Sequence, residues 1–96
     1  MAEHKPAIIW SPEALDDIDR LWDYYIRAAG RVTAVAVIDG FPLAGRTRDE
    51  LRAGLRSLAA APQIVFYRLK DDRPEIVRVL DGRQDIEEIF SDDENG

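Results

Sequence analysis

Residues 63–80 read QIVFYRLKDDRPEIVRVL and contain two apolar runs on either side of a polar centre. The runs at 64–69 and 76–80 are rich in Val, Ile, Phe and Tyr, which favour the pleated, half-buried surface of a sheet. Aspartate and proline are common turn residues, because aspartate can bond to its own backbone and proline restricts φ. The polar centre at 70–74 contains both types, as Asp71, Asp72 and Pro74, together with Lys70 and Arg73. The segment is therefore predicted to be a β-hairpin.

Side chains alternate between the two faces of a strand, which predicts one buried and one accessible face for this hairpin. We expect the buried set to be Ile64, Phe66, Leu69, Val77 and Val79. Tyr67, Arg68 and Arg78 would then lie on the opposite face or at the rim, where the two arginines could converge in space.

The length of 96 residues predicts one domain, 1–96, with a single modest core. The chain has no cysteine, which excludes disulfides, thiolate nucleophiles and cysteine-bound zinc. No apolar run approaches the roughly 20 residues that span a bilayer, and the N-terminus lacks a basic region followed by a long apolar stretch. We therefore expect a cytoplasmic protein without a membrane contact.

The formal net charge of −6 argues against general binding of nucleic acids, which requires clustered lysine and arginine. The charge is unevenly distributed. Acidic residues are concentrated in the first predicted helix and in the tail, whereas most basic residues fall between Arg46 and Arg83. The net charge therefore does not exclude a local basic face on this acidic protein.

The residues before the hairpin predict a strand and a first helix. A short apolar run ends at Trp10, and Ser11 then has the character of a helix N-cap followed by proline at the first helical position. Apolar residues, among them Leu15 and Ile18, recur at helical spacing beyond this point, which predicts a helix from Pro12 to about Ala29, ended by Gly30.

The remaining elements are shorter. Residues 31–41 fit a helix or a strand, because β-branched residues lower helix propensity, and an αα-hairpin packed on a sheet favours the helix. We further expect a helical turn capped by Thr47, a strand at 54–60, a helical turn at 85–90 and a disordered tail at 91–96. The predicted fold is α+β, a small antiparallel sheet packed against an N-terminal αα-hairpin, in the order β-α-α-β-β-β with a short C-terminal helical turn.

Four strings in this order resemble toxins of the ParE/RelE superfamily, and its ParE branch in particular. They are WSPEALDDIDRLWDYYI at 10–26, RDELRAGLRSL at 48–58, IVFYRL at 64–69 and EIVRVLDGRQDI at 75–86. The resemblance covers about two thirds of the chain. It implies the toxin of a type II toxin–antitoxin pair, which inhibits DNA gyrase by protein–protein binding and is neutralised by a cognate, ParD-like antitoxin. By resemblance, the candidates for target binding are Tyr67, Arg68, Arg78, Asp81 and Arg83.

Two alternative functions follow from the same resemblance. The RelE branch cuts mRNA on the ribosome with basic residues and a tyrosine. Here Pro62 and Asp81 stand where that branch commonly has a basic residue and a histidine, and both changes remove positive charge. The second alternative is a decayed toxin that only binds antitoxin, because residues 30–41 are shorter than the second helix of the family.

Two apolar surfaces are candidates for antitoxin binding. The first is the apolar side of the first helix, with Trp22, Tyr25 and Ile26, where a partner helix could lie. The second is a strip of leucines interleaved with arginines, which an acidic amphipathic antitoxin segment would fit. Its members are Leu51, Arg52, Leu55, Arg56 and Leu58.

The sequence contains few residues that are suited to catalysis. A Ser–His–Asp arrangement would depend on His4, the only histidine, close to the N-terminus. Cleavage of RNA without a metal needs a base, and a tyrosine with an ordinary pKa of about 10 is a poor one. The carboxylates of the first helix and the tail fit solvated faces better than a metal site. These observations favour a non-enzymatic inhibitor without metal or cofactor.

Overall fold

The computed structural model describes residues 8–20 and 28–95 and has the α+β fold that the sequence predicts. In chain order the elements are β1 (Ile9–Trp10), α1 (Pro12–Arg20), α2 (Ala28–Gly40), β2 (Arg46–Thr47), β3 (Arg56–Ala60), β4 (Gln63–Lys70), β5 (Arg73–Asp81) and α3 (Ile86–Asn95). The predicted order is confirmed, with the two-residue β2 as an additional strand.

The five strands form one sheet in the order β1-β5-β4-β3-β2, in which β1 is parallel to β5 and the other neighbours are antiparallel. The predicted hairpin is confirmed as β4 and β5. Its turn consists of Asp71 and Asp72, whose φ angles of 54° and 65° match the twist that a two-residue hairpin loop needs. Pro74 was predicted in the turn. It lies instead in β5, opposite Leu69.

Helices cover both faces of the sheet, so the prediction of one buried and one accessible face is wrong. Phe66 and Tyr67 are neighbours in β4, and each is fully buried in a different core cluster. One cluster joins the sheet to α1 and α2 and contains Ala14, Ala34, Ile38, Ala60, Val65, Tyr67, Ile76 and Val79. The other joins the sheet to α3 and contains Leu55, Phe66, Val77, Leu80 and Phe90. Leu69, which was expected to point inward, is 40% exposed.

A register shift in the hairpin explains why simple alternation fails. Phe66 lies opposite Arg78, whereas the next residue, Tyr67, lies opposite Ile76. Val77 is therefore an extra residue on β5, as in a β-bulge, and a bulge changes the face to which the following side chains point. Val77 and Val79, expected on one face, consequently belong to different clusters.

The helix boundaries differ from the prediction at Gly30. This residue lies within α2 and not at the end of the preceding helix. The prediction that it caps the C-terminus of that helix is therefore wrong. A Cβ atom there would be 3.5 Å from the carbonyl oxygen of Ala60, because α2 packs directly on β3. The predicted helix over residues 31–41 is confirmed as far as Gly40.

Two other segments also differ. Thr47 lies in β2, opposite Arg56, and does not cap a helical turn, because pairing with β3 satisfies its backbone instead. The predicted strand at 54–60 is confirmed from Arg56 to Ala60, as β3. The predicted C-terminal helical turn is longer, since α3 extends to Asn95 and includes residues 91–95 of the tail that we expected to be disordered. None of the described helices combines the length and the apolar character that crossing a membrane requires.

Candidate interaction surfaces

The side chain of Tyr67 is completely buried and holds a loop in place. Its hydroxyl donates a hydrogen bond to the carbonyl oxygen of Pro42 at 2.7 Å and accepts one from the amide of Gly45 at 2.8 Å. Arg56 holds the same loop, donating to the carbonyl oxygens of Gly45 at 2.8 Å and Leu43 at 3.2 Å. Both residues, predicted to contact partners, therefore connect the sheet to the loop between α2 and β2.

Burial raises the pKa of the Tyr67 hydroxyl above its ordinary value of 10.0, although the hydrogen bond from Gly45 and the charge of Arg56 act in the opposite direction. The folded protein thus keeps this proton at pH values where the unfolded chain loses it. The contribution of Tyr67 to stability is complete below about pH 10 and is lost as the pH rises through the folded-state pKa.

We expect Tyr67→Phe to reduce the free energy of unfolding by about 1–3 kcal/mol near neutral pH, because the buried amide of Gly45 and the partly buried carbonyl of Pro42 lose their partner. Urea titrations at neutral pH and above pH 10 measure this. When the pH is raised from neutral to above 10, the free energy of unfolding should fall less in the variant than in the wild type. Equal alkaline losses in both proteins would contradict the assignment.

Arg78 is buried in an ion pair with Asp17 of α1. Its Nε and Nη2 atoms donate to the two carboxylate oxygens at 2.8 and 2.9 Å, and the amide of Val79 donates to the same carboxylate at 2.9 Å. Arg78 was predicted to lie at the rim of the sheet, and this prediction is wrong because the side chain is buried. The side chain joins α1 to β5.

The other candidates for target binding lie nearer the surface but far apart. Arg68 donates to Glu75 at 2.7 Å, and Arg83 donates to Asp81 at 3.2 Å. Glu75 and Asp81 are six residues apart on β5, which corresponds to about 20 Å along a strand. The structure therefore does not bring the five predicted residues together in one site.

The predicted strip of leucines and arginines is divided between the two sides of the sheet. Leu55 is buried beside Phe66 and Phe90, with Leu51 packed against the same cluster, whereas Leu58 packs on the opposite cluster. The guanidinium carbon of Arg52 lies 5.1 Å from the ring centre of Phe90. These side chains stabilise the core. Trp22, Tyr25 and Ile26 lie outside the described residues.

Arg48 also has a structural role next to this cluster. Its guanidinium lies 5.6 Å from the ring centre of Phe66, and its Nε donates to Glu50 at 2.8 Å. This hydrogen bond lowers the pKa of the exposed Glu50 carboxyl. Within residues 8–20 and 28–95, no group of three or more His, Cys, Asp or Glu side chains could hold a metal ion.

An apolar groove lies between α1 and α2. Its volume is about 370 Å³, and it is lined by Trp10, Leu15, Ile18, Arg31, Val32 and Val35. Leu15 and Val32 are 54% and 66% exposed. The sequence signal for this groove is α2 itself, since a helix with apolar residues all round must expose some of them unless it is completely enclosed.

A family model and one sequence relative match this chain. The family model described as the ParE toxin of the type II toxin-antitoxin system parDE matches residues 8–86. Toxin ParE3 of Caulobacter vibrioides is 43% identical over 49 residues, which are 51% of this chain and 49% of that protein. The match therefore spans about half the length of this relative.

Two solved structures share the fold. A chain from the chromosomal ParDE TA system of P. aeruginosa superimposes with a TM-score of 0.59 at 21% identity, covering 82% of this chain and 98% of that one. A chain of the E. coli DinJ-YafQ toxin-antitoxin complex superimposes with a TM-score of 0.61 at 14% identity, covering 81% and 93%. At these identities the likeness concerns the fold.

Proposed function

Because this chain belongs to the family of ParE toxins of type II toxin–antitoxin systems, we propose that it inhibits DNA gyrase by protein–protein binding and is neutralised by a cognate antitoxin. The match over residues 8–86 carries this proposal, since it includes the whole sheet and both N-terminal helices. A protein that acts on gyrase works in the cytoplasm.

The surroundings of Tyr67 and Arg78 argue against cleavage of RNA by these two residues. A metal-free ribonuclease needs a base and cations that reach the substrate. Tyr67 is buried with a raised pKa, so it is a poor base, and Arg78 is turned toward Asp17 inside the protein. Neither group is presented to a substrate.

A supercoiling assay with purified gyrase tests the target. We expect micromolar protein to inhibit supercoiling, and an equimolar amount of the product of the adjacent reading frame to restore it. Gyrase that stays fully active would exclude the target assignment. Cuts in mRNA at codon spacing in a translation extract would favour the ribonuclease alternative.

The groove between α1 and α2 is the proposed site for the antitoxin. Its apolar walls fit the apolar stripe of an amphipathic segment, which is a common mode of peptide recognition. Leu15 and Val32 keep more than half of their surface in solvent, so a partner that covers them gains hydrophobic free energy.

We expect Leu15→Asp to weaken antitoxin binding by about 10- to 100-fold, the equivalent of about 1.5–3 kcal/mol for one buried leucine. The unfolding temperature should change little, because the side chain is largely exposed in the free protein. Isothermal titration calorimetry measures the affinity. Leu43→Asp is the matched control, since Leu43 is 66% exposed but lies outside the groove. Equal losses in both variants would exclude the groove.

A further inference from the structure

Exposed carboxylates flank the groove between α1 and α2. Asp19 follows Leu15 by four residues, and Asp39 follows Val35 by four, so each lies next to a groove-lining residue on its own helix. Asp16 is adjacent to Leu15 at the solvent side of α1. All three aspartates are exposed.

Two cations of residues 8–20 and 28–95 are relevant to this flank, Arg31 and Arg20. Arg31 lines the groove, but its Nη1 donates to the side-chain oxygen of the buried Gln63 at 2.9 Å. Arg20 lies 3.9 Å from the carboxylate of Asp16, with both side chains about two-thirds exposed, and pairs of this kind contribute little. Among the described residues, the three aspartates and these two arginines give the flank of the groove a net charge of −1.

We propose that the groove selects a basic amphipathic segment of the antitoxin, with apolar residues that fill the groove and lysines or arginines that face Asp16, Asp19 and Asp39. This inference rests on the proposed function and adds the chemistry of the partner. It reverses the acidic segment expected from the sequence, because the leucines of the predicted basic strip are divided between the two core clusters. A second copy of this chain would bring another net charge of −6 toward the same negative flank, which disfavours it as the occupant.

The experiment uses the full chain and the full-length product of the adjacent reading frame, with the dissociation constant measured over a series of NaCl concentrations. We expect the affinity to fall as salt rises. The double variant Asp16→Asn/Asp19→Asn should bind about 3- to 30-fold more weakly at low salt, as expected for two exposed ion pairs, and should show a smaller dependence on salt.

The matched control is Glu87→Gln/Glu88→Gln, which removes the same charge from exposed positions of α3, outside the groove. It should leave the affinity and the salt dependence unchanged. Substitution of a lysine of the antitoxin by glutamate should weaken binding, and Asp19→Lys should restore it if the two face each other.

Three outcomes overturn the inference. If Asp16→Asn/Asp19→Asn binds the antitoxin as tightly as the wild type, the basic segment is rejected and the proposed function is unaffected. Inhibition of gyrase that is lost in the double variant, with antitoxin affinity unchanged, assigns the groove to the target. Failure of the wild-type chain to bind the antitoxin rejects both the inference and the proposed antitoxin.

Discussion

Replacing Asp17 by alanine is expected to reduce the free energy of unfolding by about 3–5 kcal/mol, because it removes the carboxylate that pairs with the buried guanidinium of Arg78. The Asp17 and Arg78 side chains are only 3% and 10% exposed, so water cannot replace the lost partner. The amide of Val79 loses its acceptor in the same variant. Chemical denaturation measures the change, which corresponds to more than about 10 °C in unfolding temperature for a domain of this size.

Asp16→Ala is the control for this prediction. Asp16 is one residue away on the same helix, but its side chain is 70% exposed, and its contact with Arg20 is long at 3.9 Å. We expect a change within about 0.5 kcal/mol. The apolar double variant Asp17→Leu/Arg78→Met should be more stable than Asp17→Ala, because it removes both charges. An unfolding midpoint of Asp17→Ala close to that of the wild type would show that the pair does not hold α1 on β5.

Gly45→Ala is expected to cost about 3 kcal/mol or more, although it adds only one methyl group. A Cβ atom at this position would lie 2.5 Å from the hydroxyl oxygen of Tyr67 and 2.9 Å from the carbonyl oxygen of Ser57. Neither neighbour can yield easily, since Tyr67 is fully buried and Ser57 is backbone-paired in β3. The substitution therefore combines overpacking with loss of the hydrogen bonds that hold the loop.

Gly40→Ala provides the comparison. A Cβ atom at Gly40, the last residue of α2, meets no atom within 4 Å apart from its chain neighbours and the backbone of its own helix. Alanine is the better helix former, so we expect no loss and a gain of up to about 1 kcal/mol. Thermal unfolding of the two variants in parallel separates the crowding at Gly45 from a general effect of glycine replacement. Similar unfolding temperatures would contradict the close packing described for the loop.

The hairpin was predictable because its signal is local. Two β-rich runs with a polar centre between them restrict the backbone whatever surrounds them, and the start of α1 at Ser11 and Pro12 is equally local. The hydroxyl of Ser11 accepts a hydrogen bond from the amide of Ala14 at 3.0 Å, as an N-cap residue does. For the same reason the apolar repeat of the first helix identified Leu15 and Ile18 as one face, and these two residues line the groove.

The site was less predictable, because burial depends on what covers each face. Arg68 and Arg78 are arginines of the same hairpin. Arg68 nevertheless pairs with Glu75 at the surface, whereas Arg78 pairs with Asp17 in the interior. The bulge at Val77 and the position of α1 decide this difference, and both are long-range features.

The sequence by itself determined the order of the elements and the hairpin at its centre, since turn chemistry, helix caps and hydrophobic periodicity act over a few residues. The tertiary structure decided which polar side chains are internal and where the open apolar groove lies. A carboxylate 61 positions away from its arginine can be paired only when the chain is folded, because no local pattern encodes that contact.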